Sequence, residues 1–191
     1  MKKLSSIDEC GPDRAFIVEG QNVQFDYTPR SSELLICFDN LSLVDSGFPR
    51  APWLSKYGAS LGYSILGVQA YTKDWYRTTN VHEMLEGLRS LGFYEEFDKI
   101  VVTGGSMGAF AAPCSAPLIP GAVVLAFSPQ STLNTDLVPQ ERRFAPARRN
   151  LDWVTPPYHD ANANLNKIIK ALVIYDPYLP EDKAQCSRLI I

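Results

Sequence analysis

Five short stretches, residues 34–38, 64–70, 100–103, 122–127 and 171–175, are apolar almost without interruption. Their length and β-branched content predict strands covered on both faces, as in a parallel sheet. Before them, residues 14–18 and 23–27 flank Glu19-Gly20-Gln21-Asn22, and the alternation of the second arm predicts an antiparallel hairpin. Between the apolar runs the period changes. Met84, Leu85, Leu88 and Leu91 share one helical stripe over residues 81–91, with Asn80 placed as N-cap and Gly92 closing the helix. Residues 53–61, entered through Pro52, read as a second helix. A third follows residue 106, and another begins at Glu181. Strands alternating with helices after a hairpin predict an α/β fold. Its sheet is mostly parallel and flanked by helices on both faces, a three-layer sandwich with an N-terminal antiparallel hairpin. Residues 131–166 are polar, proline-bearing and arginine-rich, without a clear period. They are too long for a simple crossover and are expected to form a cap or lid within a single domain spanning residues 1–191.

The most informative junction is Gly104-Gly105-Ser106-Met107-Gly108, between the run at 100–103 and the small residues at 109–112. A buried strand turns here into a helix through a serine, with glycines where backbone must pass close to backbone. Gly-x-Ser-x-Gly in that setting is the nucleophile-elbow pattern, which exposes a serine hydroxyl above the first N–H groups of a helix.

Bulk properties narrow the field. The chain has 191 residues, 46% hydrophobic and 20% charged, as in an ordinary globular domain. A net charge of −3 gives no reason to expect a nucleic-acid partner, and no apolar run is long enough for a membrane span. Residues 1–10 lack the apolar core of a secretory signal. Cys10, Cys37, Cys114 and Cys186 are scattered and form no Cys-x-x-Cys pair. A cytoplasmic location with reduced thiols is expected. His82 and His159 have no second ligand at metal spacing, so no metal and no cofactor is expected.

The elbow, with this order of strands, resembles the alpha/beta-hydrolase superfamily over nearly the whole chain. Phrases such as Cys37-Phe38-Asp39-Asn40-Leu41, Lys73-Asp74-Trp75-Tyr76-Arg77 and Phe127-Ser128-Pro129-Gln130-Ser131 also resemble a group of uncharacterised bacterial members. The resemblance implies Ser106 as nucleophile and the Met107 N–H as one oxyanion donor. A second donor would come from the loop at Asn40 and Leu41, and Gly105 would lie beside the substrate. The acid would be Asp176, at the tip of the strand at 171–175, or Asp182. Each also has an ordinary reading, as a turn initiator or as a first-turn helix acid.

The base departs from the family order, because no histidine follows His159. Either the chain lacks a C-terminal segment with a final strand and the histidine, or the site has lost its base. The abrupt apolar ending favours the first. His159 is the candidate substitute, and His82 is expected to lie at the surface or behind the site. Trp53, Trp75 and Trp153 are candidate pocket walls or helix cover. Arg142, Arg143, Arg148 and Arg149 are solvated charges or a receptor for an anionic group. The resulting expectation is a serine hydrolase acting on a small-molecule ester or related acyl substrate, weakly active or inactive in this chain for want of the histidine. The alternatives are an acyltransferase or a non-catalytic binding protein, linked to polysaccharide or cell-envelope metabolism.

Overall fold

The computed structural model describes residues 2–189, with residues 2–4 described through their backbone. Its strands are β1 (Lys2–Leu4), β2 (Phe16–Glu19), β3 (Val23–Thr28), β4 (Glu33–Phe38), β5 (Ser64–Ala70), β6 (Lys99–Gly105), β7 (Val123–Phe127) and β8 (Lys170–Ile174). They form one sheet in the order β1-β2-β3-β5-β4-β6-β7-β8. The β2–β3 hairpin and the β3–β5 pair are antiparallel, and every other pairing is parallel. The predicted α/β architecture is therefore observed, with β1 as an added strand that no apolar pattern announced.

The helices are α1 (Leu41–Val44), α2 (Ser55–Ser60), α3 (Thr79–Ser90), α4 (Met107–Ser115), α5 (Ala145–Asn150) and α6 (Pro180–Ser187). On one face of the sheet Ile36, Phe38, Leu66 and Val102 join Leu85 and Leu88 of α3 and Phe110 of α4 in the main core. On the other, Leu35, Cys37 and Ile65 form a smaller cluster under α2. A Cβ on Gly58 of α2 would lie 2.6 Å from Leu35 Cδ2 and 2.7 Å from Ile65 Cδ1, so the missing side chain lets this helix sit on the strands.

Three local expectations are corrected. The predicted helix at 53–61 starts only at Ser55, because Leu54 is left-handed with φ 56° and breaks the turn. Asn80 does not cap α3. The N-cap is Thr78, and the Asn80 Oδ1 instead accepts from the Gln21 N–H at 2.7 Å, fastening the hairpin turn to the helix. The apolar runs that became β7 and β8 are not covered on both faces. Residues 123, 125 and 127 are only half-buried, and Leu172 and Ile174 are 57% and 46% exposed on the same side of the sheet.

Candidate active site

The elbow sits where β6 meets α4, beside the C-terminal ends of β4 and β7. Ser106 has φ 51° and ψ −113°, a conformation that a non-glycine residue adopts only when its surroundings impose it. Two close approaches impose it here. A Cβ on Gly104 would come 2.2 Å from the Gly108 carbonyl carbon, and a Cβ on Gly108 would come 2.5 Å from the Phe38 oxygen. The Ser106 N–H donates to the Phe127 carbonyl at 2.9 Å, while its own carbonyl accepts from the Phe110 N–H at 3.1 Å. Strand and helix thus hold the residue from both sides.

A cleft of about 390 Å³ opens at Ser106, with Gly105 beside it, between Asn40-Leu41-Ser42 and Phe127-Ser128. Met107 is the first residue of α4 and Leu41 the first residue of α1, so both N–H groups lie among the helix-start donors without an intrahelical acceptor. Asn40 is the N-cap of α1. Its Oδ1 accepts from the Leu43 N–H at 3.1 Å and from the Ser42 hydroxyl at 2.8 Å. Gly105, Ser106, Asn40 and Leu41 are therefore brought together around one cleft, with Met107 next to the serine. Trp53 stands edge-on to Phe127 with ring centroids 5.8 Å apart, and a Cβ on Gly105 would meet its ring at 3.0 Å.

The two candidate acids do not line this cleft. Asp176 is exposed just beyond β8, where its Oδ1 accepts from the Tyr178 N–H at 2.9 Å. Asp182 is buried on α6 and paired with Arg143 at 2.7 Å, and the same guanidinium holds the buried Glu141 at 2.6 Å. That pairing also changes the reading of the arginine-rich segment. Arg143 is committed to two carboxylates, and Arg148 donates to the Val138 carbonyl, so neither stands ready for an external anion.

Segment 131–166 packs on the scaffold and contributes no lining to the Ser106 cleft. Trp153 lies edge-on to Phe110 of α4, and Arg77 donates to the carbonyls of Asp152, Thr155 and Pro157. His159 belongs to this segment and accepts the Thr132 hydroxyl through its carbonyl. His82 is buried rather than superficial. Its ring stacks on Tyr158 at 3.4 Å, its Nδ1 pairs with the Thr78 carbonyl, and burial drives its pKa down to about 4. Among the described residues, the side chain that reaches the Ser106 hydroxyl is that of Gln130.

Two further groups of the site carry no motif of their own. Asp39 is wholly buried at the end of β4 and paired with Arg50 at 2.6 Å, while Arg50 also donates to the Ala70 carbonyl. Burial raises the pKa of the Asp39 carboxyl, and the Arg50 guanidinium opposes that rise. Gln130 is buried just past the C-terminal end of β7, with Oε1 accepting the Trp75 indole N–H at 3.0 Å. The available signal was positional: all three phrases quoted above, around residues 37–41, 73–77 and 127–131, converge on the elbow.

No protein-family model and no curated protein matches the sequence. Solved structures do. A fluorophosphonate-binding serine hydrolase F of Staphylococcus aureus, with substrate bound, is similar with a TM-score of 0.57 and 15% identity, over 88% of this chain and 79% of that one. Carboxyl esterase 2 from the mycorrhizal fungus Tuber melanosporum is similar with a TM-score of 0.57 and 14% identity, covering 98% of this chain and 75% of the esterase. The capsule O-acetyltransferase of Neisseria meningitidis serogroup A gives a TM-score of 0.56 and 14% identity, over 91% and 78% of the two chains. At such identities the likeness is one of architecture, and together with the strand order it establishes that this chain has the alpha/beta-hydrolase fold.

Proposed function

We propose that the protein is a serine acyl hydrolase whose nucleophile is Ser106. The observation that carries this reading is the strained backbone of Ser106, held at φ 51° between two glycine contacts and opening onto a cleft. Strain of that kind is retained where a side chain must be presented at a fixed angle. In the reaction, Oγ attacks the acyl carbon of an ester and the carbonyl oxygen takes up negative charge. The N–H groups of Met107 and Leu41 stabilise that charge. The bond to the alcohol then breaks, and the proton lost from Oγ passes through a base to the departing oxygen. Water subsequently releases the acyl group from Ser106.

The base in this scheme is an imidazole oriented by Asp176. Asp182 is the weaker candidate, since its carboxylate is already neutralised by Arg143. His82 is buried against Tyr158, so among the described residues His159, after a rearrangement of its segment, is the imidazole this scheme can draw on. The serine hydrolase and esterase neighbours support the acyl-cleaving chemistry. The capsule O-acetyltransferase favours a variant in which a sugar hydroxyl replaces water as acceptor. A rival of another class is a non-catalytic protein that uses the same cleft to bind a ligand.

The test is covalent labelling by a fluorophosphonate probe from about pH 6 to about pH 9, with Ser106→Ala as control and with free imidazole added to supply a base. Ser106-dependent labelling that imidazole accelerates supports the proposal. Labelling no faster than that of Ser106→Ala under every condition overturns it and leaves the binding role.

A further inference from the structure

We infer that Gln130, clamped by Trp75, is the positioning residue of the Ser106 hydroxyl; this rests on the nucleophile reading above. Gln130 is 1% exposed, and its side chain has three polar neighbours. Its Oε1 accepts from Trp75 Nε1–H at 3.0 Å. Its Nε2 faces the Ser128 carbonyl at 3.2 Å and the Ser106 Oγ at 3.5 Å. An indole N–H can only donate, so the amide oxygen must be the end that meets Trp75. The NH₂ end then has one hydrogen for Ser128 and one for Ser106.

That polarity has a chemical consequence. A group that donates to Oγ cannot take its proton, so Gln130 is not the base. It occupies a lone pair of the hydroxyl, which turns the serine proton away toward the side where a base must stand. While the base draws the proton from Oγ, before the bond to the acyl carbon is complete, the oxygen has transient negative character. The 3.5 Å contact strengthens over that interval, because a hydrogen bond to a charged acceptor is shorter and stronger than one to a neutral hydroxyl. The same donor stabilises the serine oxygen again when it leaves as the acyl group departs.

The clamp is built from unusual backbone on both sides. Trp75 and Tyr76 are consecutive residues with φ 54°, and Ser128 has φ 47°. The turn at 74–77 is held by the buried Asp74, whose Oδ1 accepts from the Tyr76 N–H at 3.0 Å and whose Oδ2 accepts from the Asn22 amide. Trp75 is further wedged edge-on between Phe144 and Trp153. Non-glycine residues in the left-handed region are costly, and their grouping around one glutamine indicates that its orientation is what the surroundings enforce.

Two measurements decide the matter. The first needs no activity: the ¹⁵N–¹H signals of the Gln130 side-chain amide are compared between the native chain and Ser106→Ala. One of the two amide protons should shift on losing Oγ while the Trp75 indole signal stays in place. If neither amide proton moves, the inference is overturned. The second is the labelling rate at Ser106 in the presence of imidazole. Gln130→Glu keeps an acceptor for Trp75 but loses the donor, and should slow labelling by about 10-fold to 100-fold near neutral pH. The deficit should shrink as pH falls and the new carboxyl gains a proton it can donate, a trend that a merely structural defect would not produce. Trp75→Phe should give a smaller loss of the same kind. Wild-type rates in Gln130→Glu, with unchanged thermal unfolding, would also overturn the inference. Should the native chain itself fail to label, the acyl-transfer reading falls, and the amide spectrum still decides whether Gln130 holds the hydroxyl.

Discussion

Gly104 and Gly108 touch through their backbones, and a methyl group on Gly104 would lie 2.2 Å from the Gly108 carbonyl carbon and 2.7 Å from the Ala109 nitrogen. Neither atom is the end of a flexible side chain. Strand and helix would have to separate to admit it. Gly104→Ala and Gly108→Ala should therefore each destabilise by about 3 kcal/mol or more. Gly11→Ala, with nothing within 4 Å of the added atom, should change stability by less than ~1 kcal/mol. Urea unfolding followed by tryptophan fluorescence checks the contrast.

The same elbow predicts a difference in stability between two variants that both lose the chemistry. Ser106 holds φ 51° and ψ −113°, where glycine is at ease and serine is not. Both Ser106→Gly and Ser106→Ala lose the Gln130 contact, but only the glycine relieves the strain, so Ser106→Gly should be about 1 kcal/mol more stable to unfolding than Ser106→Ala. Both should lose fluorophosphonate labelling, so stability and reactivity separate at one residue.

Asp39 and Arg50 form a buried pair immediately beneath the loop that carries Asn40 and Leu41. Removing one charge strands the other. Arg50→Met should destabilise by about 3–5 kcal/mol, and the double variant Asp39→Leu, Arg50→Met should recover a large part of that loss. A double-mutant cycle by chemical denaturation measures the coupling.

The two candidate acids make opposite predictions. Asp182→Asn breaks the pair with Arg143 and should lower stability by about 2 kcal/mol without a matching change in Ser106 reactivity. Asp176→Asn, at an exposed turn, should leave stability within ~1 kcal/mol. On the proposed scheme it should slow imidazole-independent labelling. The reverse pattern would transfer the acid role to Asp182.

His82 contributes a pH dependence with a definite sign. Its folded pKa, about 4, lies below the ordinary value of 6.5 because the ring is buried against Tyr158. Between these values the unfolded chain binds the proton and the folded chain does not. The His82 contribution is thus fully present above pH 6.5 and is lost as pH falls toward 4, at about 1.4 kcal/mol for each unit of pKa difference. In His82→Phe this part of the acid destabilisation should disappear from the curve of unfolding free energy against pH.

Much of the fold was legible because strands buried in a sheet leave apolar runs, and these fell at 34–38, 64–70 and 100–103 as the sheet requires. The tight strand-to-helix turn at Ser106 was legible because a backbone contact at 2.2 Å admits glycine alone. Less visible was anything that depends on a partner distant in sequence. Asn80 had the right type and position for a cap, yet its oxygen went to Gln21, 59 residues away. Asp182 looked like a free helix-start acid until Arg143 reached it across 39 residues. Gln130 carries no chemical motif, only its place in the phrase at 127–131, because a glutamine acquires meaning only from what faces each end of its amide. The β7 and β8 runs misled for another reason: hydrophobicity reports a tendency to be covered, and on this side of the sheet β7 is only half-covered while Leu172 and Ile174 stay exposed.

That open side has a practical consequence. Among the described residues β8 is the last strand of the sheet, so one line of its peptide groups has no neighbouring strand, and Leu172 and Ile174 stand exposed next to it. A strand with both a free edge and a greasy flank is a template for another strand. Lateral assembly of copies along this edge, without prior unfolding, is the expected route of loss at high concentration. The chain's shelf life at high concentration should follow the chemistry of β8, improving with Leu172→Lys, even in variants whose melting temperature is unchanged.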